Sequence, residues 1–234
     1  MEDFHSHILP GVDDGSKSVE ESLEMLRAMA QQGITHVVAT PHFYPQQDTP
    51  ECFLKRRAEA EAALREAMAG EKDLPELSIG AEVYYFRGIS DSEAIKALAV
   101  DKKRCILIEM PGLPWTEIMY RELENLYVKR GPIPVIAHLD RYIGPFRTHG
   151  IPKRLAALPV LVQANADFFL DRSTSAMALR MLKKGRIQLL GSDCHNMKSR
   201  KPNLGEALAL IQRKLGQDAI AAIRENARIA MAEE

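Results

Sequence analysis

The feature that most constrains the fold of this chain is a repeated alternation of short apolar runs and longer helical patterns. The runs lie around Phe4 and at "THVVATP" (35–41), "LSIGAEV" (77–83), "RCILIEM" (104–110), "IPVIAHL" (133–139), "PVLVQAN" (159–165) and "IQLLGSD" (187–193), which makes seven candidate strands. Helix marks stand between them. Ser18-Val19-Glu20-Glu21 reads as a capping box ahead of an apolar stripe at Leu23, Leu26, Met29 and Ala30, with Gly33 as a stop. Thr49-Pro50 opens a second helix that runs to Gly70. "TEIMYRELENLYVKRG" (116–131) and "TSAMALRMLKKG" (174–185) each end in basic residues and glycine, and two further helical segments fill 203–232. Near-continuous apolar strands alternating with helices predict parallel strands wrapped by helices, an α/β fold. Seven such units without a GxGxxG turn suit a barrel better than an open dinucleotide-binding sheet. At 234 residues the chain is read as one domain, 1–234.

Composition narrows the function classes. The formal net charge is −1, so nothing points to nucleic acid or an anionic membrane as partner, and an anionic substrate must be met by a local cationic patch. No apolar run approaches the roughly 18 residues of a membrane span. The start "MEDFHSH" is acidic where a secretory signal would be basic, and three cysteines without framework spacing suit a reducing compartment. A cytoplasmic location is expected.

Metal-type side chains gather where the strands end. His5 and His7 close the first run, His42 follows the second, and Glu82 closes the third. Glu109, His138 and the pair Asp193 and His195 close the fourth, fifth and seventh. Barrel enzymes carry their chemistry at such ends. Residues two apart on a strand share a face, so His5 should aim with His7, and Asp193 with His195, while Cys194 faces away. After His7, "ILPGVDDG" turns back, and Asp14 could return a carboxylate. These nine nitrogen and oxygen donors exceed the needs of one divalent ion, so two or three ions are expected, with carboxylates such as Glu82 or Asp193 shared. His36 lies at the opposite end of its run and is read as structural; His149 is left open.

The motifs "DFHSHILPGVDDG" (3–15), "ATPHF" (39–43), "GAEVYY" (80–85), "IEMP" (108–111), "AHLDRY" (137–142), "QANA" (163–166) and "GSDCHN" (191–196) resemble the polymerase-and-histidinol-phosphatase superfamily. They are most similar to its manganese-dependent protein-tyrosine phosphatases of bacterial capsule and exopolysaccharide clusters. The resemblance runs essentially end to end. It implies a distorted seven-stranded (β/α)7 barrel, a trinuclear centre with Mn2+, and hydrolysis of phosphotyrosine, commonly on a cognate autophosphorylating tyrosine kinase. By motif, His5, His7, Glu82 and Asp193 would surround one ion, Asp14, His42 and His195 a second, and Glu82, Glu109 and His138 a third. Asp14 is preferred to Asp13 because the family's carboxylate directly precedes glycine. Relatives commonly have His-Pro-Glu-Arg-Tyr where this chain has "HLDRY", a departure that bears on the aim of Arg141. Iron, zinc or magnesium suit the donors nearly as well as manganese.

Clustered ions lower the pKa of bound water from about 15.7 toward 7, so a metal-bound hydroxide is the expected nucleophile. Arg141 and Arg200 are the guanidinium candidates for the phosphoryl oxygens. A rival active site is written over the same stretch: Cys194 and Arg200 stand as Cys-x5-Arg, the outline of a thiolate phosphatase. That loop needs glycines to bring its amides close to phosphate, and "CHNMKSR" has none. The competing functions are a small-molecule phosphatase, acting on histidinol phosphate or a sugar phosphate with the same metals, and a non-catalytic metal-stabilised module. Phe43, Tyr44, Tyr84, Tyr85, Phe86 and Trp115 are rim candidates that could flank a phenyl ring.

Overall fold

The computed structural model describes residues 1–102, 105–143 and 150–231; His149 lies outside them. Nine short strands stand among the described residues: β1 (Glu2–Ser6), β2 (His36–Ala39), β3 (His42–Phe43), β4 (Glu76–Ile79), β5 (Glu82–Tyr84), β6 (Cys105–Glu109), β7 (Ile133–Ile136), β8 (Leu161–Asn165) and β9 (Leu189–Gly191). All pair in parallel, in the orders β1-β2-β4 and β3-β5-β6-β7-β8-β9. Each of the seven apolar runs therefore holds strand, but two are broken. Thr40-Pro41 divides β2 from β3, and Gly80-Ala81 divides β4 from β5. Proline cannot donate to a ladder, which accounts for the first break. At the second, Gly80 lies so close to Val100 that an added Cβ would sit 3.0 Å from its Cγ2. Carbonyls bridge both gaps: Thr40 N donates to Ser6 O, Gly80 N to Ala39 O and Glu82 N to Pro41 O, at 2.8–3.0 Å.

The sheet curls until its first and last strands meet. Ser6 bridges Cys194, Asp193 N donates to His5 O at 2.8 Å, and His7 N donates to Cys194 O at 2.9 Å. The fold is a parallel α/β fold with a curled sheet. Phe4, Val38, Leu107, Val135 and Leu189, from five strands, form a separate buried cluster against Ala227 and Ala230 of helix Gln217–Met231. Glu109 shares a face of β6 with Leu107, two residues beyond it, so the polar site begins where that cluster ends.

Helix starts follow the local chemistry with one shift. Ser18 accepts from Glu21 N, but the Glu21 carboxylate takes Lys17 N at 2.9 Å instead of the cap's own amide. Thr49 caps Pro50–Met68 through Cys52 N, and Thr116 caps Glu117–Arg130. No helix of the described residues is long and apolar enough to cross a membrane.

The seam between β1 and β9 depends on Gly191. A Cβ there would lie 2.5 Å from His5 Cβ and 2.9 Å from Gln163 Nε2. Gly191→Ala is expected to cost about 1–3 kcal/mol in denaturant unfolding, the usual range for overpacking; a change within roughly 0.5 kcal/mol, the range of an ordinary surface substitution, would contradict this seam.

Candidate metal centre

The nine expected donors meet in one bowl at the strand ends. His5 lies within β1, His7 one residue past it, His42 opens β3, Glu82 opens β5, and Glu109 closes β6. His138 and Asp193 lie in loops with left-handed backbone, at φ 31° and 54°. That overturns one step of the strand argument. Because β9 ends at Gly191, Asp193 and His195 do not converge by alternation. They converge through a turn in which His195 Nδ1 donates to Asp193 O at 2.9 Å.

Distances inside the bowl are short. Glu82 Oε2 lies 3.1 Å from His5 Nε2, 3.3 Å from His7 Nε2 and 3.0 Å from His42 Nδ1, while Oε1 lies 2.7 Å from His138 Nε2. Asp193 Oδ1 is 3.5 Å from His5 Nε2 and 3.4 Å from His7 Nε2. Asp14 Oδ1 is 3.4 Å from His195 Nε2 and 3.8 Å from His42 Nε2. Ligand atoms lie within 4.8 Å of one another in three groups: His5, His7 and Asp193; His7, Asp14, His42 and His195; and His42, Glu82 and Glu109. His7 and His42 each join two groups, a sharing that the motif carry-over did not include.

The neighbours of these donors fix which atoms face inward. Asp13, the alternative to Asp14, is a half-buried positioning residue. Its Oδ2 accepts from His7 Nδ1 at 2.7 Å and from His42 N at 2.8 Å. A carboxylate behind an imidazole sets the tautomer and presents the other nitrogen's lone pair. The sixth run supplies no donor but does supply amides. Gln163 Oε1 lies 3.3 Å from His5 Nδ1 and accepts from His138 N at 2.6 Å, and Asn165 Nδ2 donates to Asp193 Oδ2 at 2.9 Å. On sequence Asp13 stands only as an alternative ligand, and Gln163 and Asn165, though inside "QANA", receive no role; polar residues at a buried strand end are the available signal for the last two. His36 stays at the far end of β2, on Ser78 Oγ at 2.8 Å.

Four buried atoms aimed into the bowl have no hydrogen-bond partner: His42 Nδ1, Glu109 Oε2, Asp193 Oδ1 and His195 Nε2. Buried polar atoms normally find partners, so this donor set fits divalent cations. Arg141 and Arg200 flank the bowl, their Nη2 atoms 2.7 and 2.8 Å from Asp193 Oδ2. The departure in "HLDRY" leaves Arg141 aimed at the site, since Asp140 instead accepts from Asn165 N at 3.0 Å.

The thiolate reading fails on geometry. Cys194 is fully buried, and burial beside Asp3 pushes its thiol well above the ordinary value. Lys198 N, Ser199 N and Arg200 N donate to Asn196 Oδ1 at 2.8–3.2 Å, so these loop amides are not free to cradle a phosphate.

Residues 1–231 match the family described as capsular polysaccharide synthesis, CpsB/CapC. The chain belongs to the CpsB/CapC family. The chain is 30% identical to the tyrosine-protein phosphatase YwqE of Bacillus subtilis, over 98% of this chain and 91% of that protein. It is 30% identical to the tyrosine-protein phosphatase CpsB of Streptococcus pneumoniae, over 92% of this chain and 91% of that one. A crystal structure from work on YwqE and CpsB, described as unique metal-dependent tyrosine phosphatases, superposes with a TM-score of 0.87 at 26% identity, covering 100% of this chain and 96% of the other. The lactonase Lmo2620 of Listeria monocytogenes, at 13% identity and TM-score 0.61, shares the fold.

In this CpsB/CapC member the imidazoles are held in two electrostatic states. Burial disfavours charge on His7, but Asp13, Asp193 and Glu82 hold its pKa well above the ordinary value. Glu82 and Asp193 likewise raise His5 against burial. Burial, with His7 and Arg200 nearby, pushes His195 down to about 4, and burial lowers His42. Without metal, protonated His5 and His7 stabilise the fold below their raised values, and that contribution is lost as pH rises through them. Metal must displace those protons. The rise in Tm on adding Mn2+ is therefore expected to be larger at pH 8.5 than at pH 6. A rise of equal size at both, read by scanning calorimetry, would contradict the proton competition.

Proposed function

We propose that this chain is a metal-dependent protein-tyrosine phosphatase that hydrolyses phosphotyrosine on proteins, with two or three divalent ions held by the bowl. The observation that carries this reading is the facing of His5 Nε2 and His7 Nε2, fully buried and 3.1 Å apart. Each has its other nitrogen turned outward, toward Gln163 and Asp13 respectively, so two lone pairs oppose each other unless a cation or proton lies between them. The relatives' names, tyrosine-protein phosphatases and in the solved structures metal-dependent ones, support phosphotyrosine as the group hydrolysed.

His5, His7 and Asp193 would hold one ion, and His7, Asp14, His42 and His195 a second. Glu82, Glu109 and His138, whose Nε2 lies 2.7 Å from Glu82 Oε1 and 3.5 Å from Glu109 Oε1, would hold a third, with His42 as a further donor. Such ions supply a nucleophile at neutral pH and neutralise charge on the phosphoryl oxygens. Arg141 donates from Nη2 to Asp193 Oδ2 and from Nη1 to Glu109 Oε1 at 3.3 Å, and Arg200 donates from Nη2 to Asp193 Oδ2. The two side chains remain 42% and 38% exposed, leaving their other guanidinium N–H groups to orient the phosphoryl oxygens. A phenol, with a pKa near 10, leaves without a strong general acid. Manganese is the ion we infer, and a tyrosine-phosphorylated protein, an autophosphorylating kinase of polysaccharide synthesis, the substrate, met in the cytoplasm. The family match across residues 1–231 supports reading 1–234 as one domain. We read β2 with β3, and β4 with β5, as single staves of a distorted seven-stranded barrel, a reading that the short breaks between them support.

Purified protein with Mn2+ is expected to hydrolyse a tyrosine-phosphorylated peptide, lose that turnover with a chelator, and keep it as Cys194→Ser. Arg141→Ala or Arg200→Ala should lower kcat/KM about a hundredfold with metal content unchanged, the scale of losing one oriented donor. Turnover that resists chelation yet disappears in Cys194→Ser would overturn the proposal. Faster turnover of histidinol phosphate than of the phosphopeptide would move the assignment to the small-molecule phosphatase.

A further inference from the structure

The six aromatic rim candidates separate clearly in the fold. Phe43 and Tyr85 are buried: Phe43 packs on Phe53 with ring centroids 5.2 Å apart, and the Tyr85 hydroxyl donates to Glu122. Phe86 packs against the main core. Trp115 lies edge-on to Tyr142 and donates its indole N–H to Pro111 O at 3.1 Å. Tyr44 and Tyr84 are different. Like Phe86 and Trp115 they are half-buried, but their centroids are 5.6 Å apart and Tyr44 stacks on the His42 imidazole at 4.9 Å and 28°.

The bowl therefore has a two-sided rim. Arg141 and Arg200 stand beside Asp193, while Tyr44, with Tyr84 against it, stands beside His42. There a cavity of about 500 Å³ is lined by Val12, Asp14, His42 and Tyr44 together with Arg56, held in an ion pair by Asp48. An aryl phosphate has the matching polarity, with a dianion at one end and an apolar ring at the other. An alkyl phosphate offers the dianion alone. Rings gain from offset or tilted contact with another ring beyond the area they bury.

Resting on the phosphatase reading, we propose that Tyr44, backed by Tyr84, is the specificity-determining wall that packs the ring of an aryl phosphomonoester while the arginine side takes its phosphoryl group. Tyr44 thus selects for the aryl ester and does not take part in bond cleavage. The purely structural alternative, in which Tyr44 only braces His42, makes a different prediction, because bracing a metal ligand affects every phosphoryl ligand alike.

Calorimetric titration of the Mn2+-loaded protein with phenylphosphonate and with methylphosphonate distinguishes the two. Tyr44→Leu is expected to weaken phenylphosphonate about tenfold, a ring-contact-sized loss, with methylphosphonate affinity and metal content unchanged, and Tyr44→Phe to restore the wild-type ratio. If Tyr44→Leu loses metal, Tyr84→Leu is read in its place, with the same selective loss at about threefold. Equal weakening of both phosphonates, or no change in either, would overturn the proposal. Failure of the metal-loaded wild type to bind either phosphonate would instead remove the phosphatase reading on which it rests.

Discussion

Two imidazole nitrogens aimed at one another across 3.1 Å, in a place water does not reach, are the constraint on which the rest of this structure depends. Left as neutral lone pairs they repel in a low-dielectric setting, where electrostatic terms are largest. Glu82 and Asp193 sit against both nitrogens, so the surroundings are built for positive charge. A proton answers that demand in the metal-free chain, and a divalent cation answers it with more charge and more ligands. The bowl is thus an electrostatic hole whose shape is set by the protein and whose filling is set by the solution.

Holding such a cluster together requires rigid backing, because each donor on its own would turn toward water. The curled parallel sheet provides it by bringing β1 against the β9 end, where Gly191 permits an approach that any side chain would block. Behind the donors stands a shell of carboxylate and amides. Asp13 fixes His7, Gln163 links His5 to the His138 backbone, and Asn165 steadies Asp193. Groups that hold metal ligands in place in this way commonly govern metal affinity nearly as strongly as the ligands. The left-handed backbone at His138 and Asp193 is a local strain that the shell maintains.

Much of this was legible in the sequence because strand ends, unlike strand interiors, rarely need imidazoles or carboxylates. His5, His7, His42, Glu82, Glu109, His138, Asp193 and His195 could be placed by that rule, and His36 set aside by it. What the pattern could not carry was the loop geometry. Alternation predicts a shared face for Asp193 and His195, whereas the strand stops at Gly191 and a turn makes the pairing. Of the adjacent pair Asp13 and Asp14, one supports His7 and the other faces His195; the family resemblance favours Asp14 as the ligand, but the role of Asp13 emerges only with the three-dimensional closure of "ILPGVDDG". Breaks at Thr40-Pro41 and Gly80-Ala81 are hidden for a similar reason, since the first closes one apolar run and the second lies inside another. Cys194 shows the converse: a linear outline that reads as a nucleophile is disqualified by burial and by Asn196 capturing the loop amides.

Anomalous diffraction from crystals of this protein grown with Mn2+ at neutral pH puts the electrostatic hole to its most direct test. Anomalous peaks are expected within the bowl, one of them at bonding distance from both His5 Nε2 and His7 Nε2. A bowl without any such peak, with those two imidazoles keeping their present separation, would contradict that expectation.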